Sequence, residues 1–321
     1  MSTTARFFFL VGILFLVACS ASQPPAADQT TPKPVSPPQG AAVSSTIPAT
    51  EAQTSLLDIP GTSADLVRNS EYQLGFLDQV RYVQLTDGRY QEGTPGSADY
   101  ISVSMTDFIA WGDLNDDGVD ETVAIVAENY GGSGTFVFLV VYQSQEDGLS
   151  FLTSTFLDDR PLVNALSVEE GEILVDAIIH ASDDPMCCPT LYTARHYFLN
   201  GVNLILSDYS TKTAAGEPRV ITIEAPVNGI QISGIVRLKG NITIAPFENN
   251  LVYRVYDLGG VELSAGPITV ESTGLGAPGE FEKAVDLGNI LKDTMVRITV
   301  EDIGAADGSL SAMDSVLLQV K

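Results

Sequence analysis

Between two apolar, strand-like runs stand ten residues, Gly112-Asp113-Leu114-Asn115-Asp116-Asp117-Gly118-Val119-Asp120-Glu121, crowded with carboxylates around one carboxamide. Like charge at this density is costly unless a cation or open solvent compensates it. Numbered from Asp113, side-chain oxygens fall at loop positions 1, 3 and 5 (Asp113, Asn115, Asp117), and Gly118 follows at 6. The Val119 carbonyl stands at position 7 and the Glu121 carboxylate at 9. Alternate residues can then point inward while the glycine takes the sharp turn, which is how a chain folds around a calcium-sized ion. Asp113, Asn115, Asp117, Val119 and Glu121 are the candidate ligands of a structural calcium ion. A solvated Asn/Asp/Gly turn between two strands is the other reading of the same residues. Either way the stretch is the bend of a β-hairpin, since Phe108–Trp111 and Thr122–Ala127 flank it as strands.

The rest of the chain keeps the same register of alternation, and the expected fold is all-β. From Leu56 to Lys212, period-two runs rich in β-branched and aromatic residues recur at 82–85, 100–103, 135–142, 173–179, 192–199 and 204–209. One short helix is expected around Ser63–Asn69. Residues 217–321 form a second expected domain. Strands are read at 220–224, 230–238, 251–257, 281–287, 295–302 and 315–320, with turn signals at Asn228-Gly229, Gly259-Gly260 and Asp307-Gly308. That many short strands in about a hundred residues is the pattern of a β-sandwich. Charge divides at the same place: residues 56–212 hold 25 acidic and 6 basic side chains, whereas 218–321 hold 13 and 8.

Ahead of these lies a stretch of another kind. Residues 1–18 join Arg6 to an apolar run, Phe7–Val17, too short for a comfortable membrane span. They end in Leu16-Val17-Ala18-Cys19, which resembles the lipobox of bacterial lipoproteins. The resemblance implies a signal peptide over 1–18, lipid on Cys19, and a membrane anchor on the extracytoplasmic face, inner or outer membrane unspecified. Two or more acyl chains give stable anchoring where one does not. Residues 19–55, with seven prolines after Cys19 among Ala, Ser, Thr and Gln, lack any apolar periodicity and read as a disordered tether. The formal net charge of −25 excludes nucleic acid as a partner, because phosphate backbones repel such a surface.

The final domain carries a second resemblance. Pro226-Val227-Asn228-Gly229, Val236–Gly240, Phe247-Glu248-Asn249-Asn250, Leu251–Val255 and Gly279-Glu280-Phe281-Glu282 occur in that order. They resemble the immunoglobulin-like domain of bacterial spore germination lipoproteins, which implies an immunoglobulin-like sandwich outside the membrane. The antibody-type Cys…Trp…Cys pattern is missing, so the core must hold without that disulfide. The acidic loop is similar to the hairpins of FG-GAP repeats, whose last ligand stands at position 9. Ala124 at position 12 departs from an EF-hand, and Glu121 departs from the aspartate usual in FG-GAP loops. A single copy gives no propeller.

Other motifs carry less. Gly131-Gly132-Ser133-Gly134 lacks the Lys-Ser/Thr of a phosphate loop and reads as a hairpin turn. Cys187 and Cys188 are adjacent between Pro185 and Pro189. A vicinal disulfide, two free thiols, and a metal held with His180 and His196 are the open readings, although the spacing matches no zinc motif. With only two histidines and one tryptophan, a Ser-His-Asp site and a carbohydrate-stacking platform have little to stand on. The expected function is therefore non-catalytic: an anchored binding or structural module with an unknown protein or cell-wall partner. The alternative is a cell-envelope glycan or peptidoglycan hydrolase with the sandwich as accessory binding module, which needs two carboxyls facing each other across a cleft.

Overall fold

A computed structural model describes residues 63–321 except Asp78, Glu146 and Asp147. The signal, Cys19 and the tether lie outside the described residues. Helix α1 (Ser63–Arg68) leads into two short paired strands, β1 (Glu71–Gln73) and β2 (Tyr82–Gln84). Five strands then run up and down as one antiparallel sheet: β3 (Arg89–Glu92), β4 (Ile101–Gly112), β5 (Glu121–Asn129), β6 (Phe136–Gln145) and β7 (Gly148–Asp159). A second meander follows in β8 (Leu162–Glu169), β9 (Glu172–Ile179), β10 (Leu191–Asn200) and β11 (Asn203–Lys212).

The five-stranded sheet is covered on both faces, which explains its sequence. β5 and β6 read as near-continuous apolar runs because neither face meets water. On one face Ala124, Val126, Phe138 and Val140 pack under Val67, Tyr72, Leu74 and Leu85 of the helix and the β1–β2 pair. On the other, Val123, Ile125, Leu139 and Val141 meet Ile173, Val175 and Ala177 of β9 and Tyr197 and Leu199 of β10. The runs 100–103 and 108–111, read as separate strands, fall from Ile101 onward in the single strand β4, whose register against β5 shifts between Met105 and Ile109. The shift lets one strand carry two phases of alternation.

The last third comprises β12 (Pro218–Arg219), β13 (Ile221–Ala225), β14 (Gln231–Ile232), β15 (Ile235–Ile242), β16 (Asn250–Asp257), β17 (Glu262–Ser272), β18 (Gly279–Asp286), β19 (Met295–Ile303) and β20 (Leu310–Val320). Their ladder runs β13-β15-β18-β17-β16-β19-β20 and folds over on itself. Leu238 and Phe281 on one side and Leu251, Ile298 and Leu318 on the other belong to one buried core. β17 has no strand forecast behind it because it contains Gly266 and Pro267. Pro is tolerated there since β18 pairs with β17 only from Val270 onward, leaving an open side next to Pro267. β20 also reaches outward to β11, with Tyr209 opposite Met313, so the ladder continues through β11, β10, β9 and β8. The fold is all-β, with one short helix among the described residues.

Candidate functional site

The β4–β5 hairpin presents the acidic loop. Gly112 pairs with Glu121, leaving residues 113–120 as the bend. Leu114, buried in the core beneath the sheet, pins the loop from inside, while Asn115, Asp117 and Val119 stay exposed. Asp116 and Gly118 take left-handed backbone angles (φ 60° and 84°), and a glycine at 118 makes the second of these free of strain.

Within the bend, carboxylates take up backbone N–H groups that no ladder satisfies. Asp113 Oδ1 accepts from the amides of Asn115 (3.3 Å) and Asp117 (3.1 Å), and Asp113 Oδ2 from Gly118 (2.8 Å). The Gly118 bond above all holds the Asp113 carboxyl below its ordinary range. Asn115 Oδ1 accepts from the Asp117 amide at 3.0 Å, and Asp117 Oδ1 from the Val119 amide at 2.8 Å. Glu121 is fully buried; its carboxylate accepts from the Leu114 amide (3.0 Å) and from Asn115 Nδ2 (3.1 Å). Burial pushes this carboxyl up, against the pull of the Leu114 N–H.

The five sequence-derived positions thus share one bend and are linked by hydrogen bonds. Among the described residues, no three His, Cys, Asp or Glu side chains converge as a metal-holding group. The donor set is nonetheless all hard oxygen, the type calcium takes. Asp113, Asn115 and Asp117 turn it toward the bend's own amides, and Glu121 toward Leu114 and Asn115.

Cys187 and Cys188 are joined as a disulfide on an exposed loop. Asp184 closes that loop, accepting from the amides of Ala181 (2.8 Å) and Thr190 (2.7 Å). Among the described residues, His180 and His196 do not join the two cysteines in a metal-holding group. The Nδ1 of His180 lies 2.9 Å from Asp158 Oδ2, and this bond first of all raises the His180 pKa. His196 sits on β10 with Nδ1 3.5 Å from Glu172 Oε2.

His196 belongs to a group that sequence reading did not assemble. Glu172 on β9, His196 on β10, Asp208 on β11 and Asp314 on β20 lie on neighbouring strands. His196 is in register with Asp208, and the Tyr209–Met313 pairing puts Asp208 opposite Asp314. Burial, followed by the Asp314 charge, pushes the Asp208 carboxyl up to about 7. Burial raises Asp314 as well, while the His196 bond lowers Glu172. Beside this group a cleft of about 590 Å³ is lined by Asp113, Asn115, Glu170, Glu172, Ser207 and Ser315, among others. It connects the acidic loop with the β8–β9 turn and with β20. No helix of the described residues is long and apolar enough to cross a membrane. Compared with known proteins, the chain matches no family model, and no curated protein matches it.

Proposed function

We propose that this chain is a non-catalytic, lipid-anchored protein of the extracytoplasmic membrane face that serves as a binding or structural module. In this reading Cys19 carries the lipid, residues 19–55 hold the folded part off the membrane, and an immunoglobulin-like sandwich closes the chain. A calcium ion stiffens the Asp113–Glu121 hairpin through Asp113, Asn115, Asp117, the Val119 carbonyl and Glu121. The observation that carries the module reading is the filling of both β-built halves by apolar side chains from several strands. The calcium part draws on the buried Glu121 carboxylate, which forms no ion pair with a Lys, Arg or His among the described residues.

One observation favours the alternative, an envelope glycan or peptidoglycan hydrolase: the cleft that Glu170, Glu172 and Asp113 help to line. Two experiments separate the readings. Expressed full length in a bacterium, the chain should fractionate with membranes, and Cys19→Ala or globomycin should release or misprocess it. Unchanged fractionation sinks the anchor. Incubated with purified peptidoglycan sacculi, the module should release no soluble glycan fragments. Release that Glu172→Gln abolishes would install the hydrolase instead.

A further inference from the structure

The seam between β11 and β20 is where the meander β8–β11 joins the final sandwich. One backbone pairing, Tyr209 with Met313, defines its register. Side chains of both strands brace it: Ser315 Oγ of β20 donates to the Ser207 carbonyl (2.8 Å) and Thr211 Oγ1 of β11 to the Ser311 carbonyl (2.7 Å). Arg297 of β19 donates to the Leu206 carbonyl at 2.6 Å. Into this seam the register sets two carboxyl groups face to face. Like charges directly opposite on antiparallel strands destabilise the pairing.

We infer that the Asp208–Asp314 pair makes the β11–β20 seam proton-sensitive: a protonated Asp208 opposite Asp314 keeps it closed, and loss of that proton loosens it.

The surroundings of Asp208 bear on this from every side. From β20, Asp314 is already committed as an acceptor, taking the amides of Ile223 (2.6 Å) and Ser315 (2.7 Å), which favours its charged form. Asp208 accepts no hydrogen bond among the described residues, so it is the partner better suited to carry the proton. From β10, His196 faces Asp208 in register; from β9, Glu172 holds His196, and Asp176 lies near enough to add to its field. The basic groups nearby are engaged elsewhere. Arg297 binds the Leu206 carbonyl, Arg195 stands over the Tyr209 ring, and Lys212 over the Tyr192 ring. Loss of the Asp208 proton near neutral pH therefore adds a negative charge to a group that already contains two other acidic side chains, Glu172 and Asp314.

The sign follows from linkage. The folded-state values of Asp208 and His196 both lie above their unfolded ones. Their contribution is complete below the unfolded values and is lost as pH rises through the folded ones. For Asp208 that loss runs from the ordinary aspartate range up to about 7. Glu172 is shifted the other way, and its contribution fades only in stronger acid, below the usual glutamate range.

The test uses full-length protein in detergent and hydrogen exchange, with rates corrected for the intrinsic effect of pH. Amides around Tyr209 and Met313 should be protected about tenfold more at pH 6 than at pH 8.5, as one unit of pKa shift corresponds to a factor of ten. Amides of β5 and β6 should not respond. Asp208→Asn, which keeps the shape without the charge, should hold high protection at both values. Protection independent of pH in the native chain, or a pH response retained in Asp208→Asn, overturns the inference. Should the variant fail to fold, the carboxyl carbon-13 shift of Asp208 in the native chain decides. A midpoint in the neutral range upholds the proposal, and one near 4 refutes it.

Discussion

Tyr72 donates its phenolic hydrogen to Glu128 across 2.6 Å, with both residues fully buried. The same carboxylate accepts from the amides of Gly75 (2.7 Å) and Phe76 (3.2 Å) and from the Tyr130 hydroxyl (2.7 Å). Three donors from the covering layer, with Tyr130 just past β5 as a fourth, thus meet one acceptor on β5, and this is how the helix and the β1–β2 pair are fixed on the sheet. A buried carboxylate is stable only when satisfied in this way.

Removing one donor tests that anchor. Tyr72→Phe should cost about 1–3 kcal/mol, the usual penalty for leaving a buried group short of a partner. Glu128→Leu, which strands all four donors, should cost more than Tyr72→Phe. Urea unfolding of each variant measures both. Equal stability of Tyr72→Phe and the native chain would show that the bond adds nothing.

Calcium should raise the melting temperature, and chelator should lower it. Under the relation between ligand concentration and stability, a hundredfold excess over the dissociation constant gives about 2.7 kcal/mol. Asp113→Ala and Asp117→Ala should erase the difference between the two conditions. A melt indifferent to chelator removes the ion from the account.

His180 gives the neighbouring disulfide loop its own pH dependence. Its bond to Asp158 raises the folded-state value above the unfolded one. The stabilisation is complete below the ordinary histidine range and disappears as pH climbs through the folded value. His180→Gln should therefore lower the melting temperature more at pH 5.5 than at pH 8.5. Losses of equal size at the two values would assign the residue a packing role only.

Leu238 is fully buried in the final sandwich, on the strand opposite Ile298 and Leu318 within one core. Leu238→Ala should destabilise by about 2–5 kcal/mol through lost transfer energy and the cavity left behind. The neighbouring exposed Lys239→Ala should change stability by less than about 1 kcal/mol, since its ion pair with Glu282 lies in solvent. Comparable losses at the two positions would contradict the assignment of faces in β15.

The all-β class was legible because alternation is local. Val236, Leu238 and Ile242 point inward while Ile235, Arg237 and Lys239 point out, and that rhythm is visible in the letters. β7 escaped because its residues are mostly half-buried on both faces, so no clean period marks it. β17 escaped because Gly266 and Pro267 argue against a strand until the partner strand is known. The acidic bend was legible as spacing within nine residues. Glu172, His196, Asp208 and Asp314 were not, because only the register of four strands brings together residues more than a hundred positions apart. No local pattern encodes that register.

Two-sided coverage of β5 and β6 has a consequence for how this sequence can drift. A deep mutational scan across β15 should alternate, one position intolerant of polar residues and the next permissive. The same scan across Val123–Val126 and Val137–Tyr142 should be flat and uniformly restrictive, since each of these side chains lies in one packed layer or the other. The centre of the first half is thus its slowest-changing text, and variation is free to collect at the exposed positions of the outer strands.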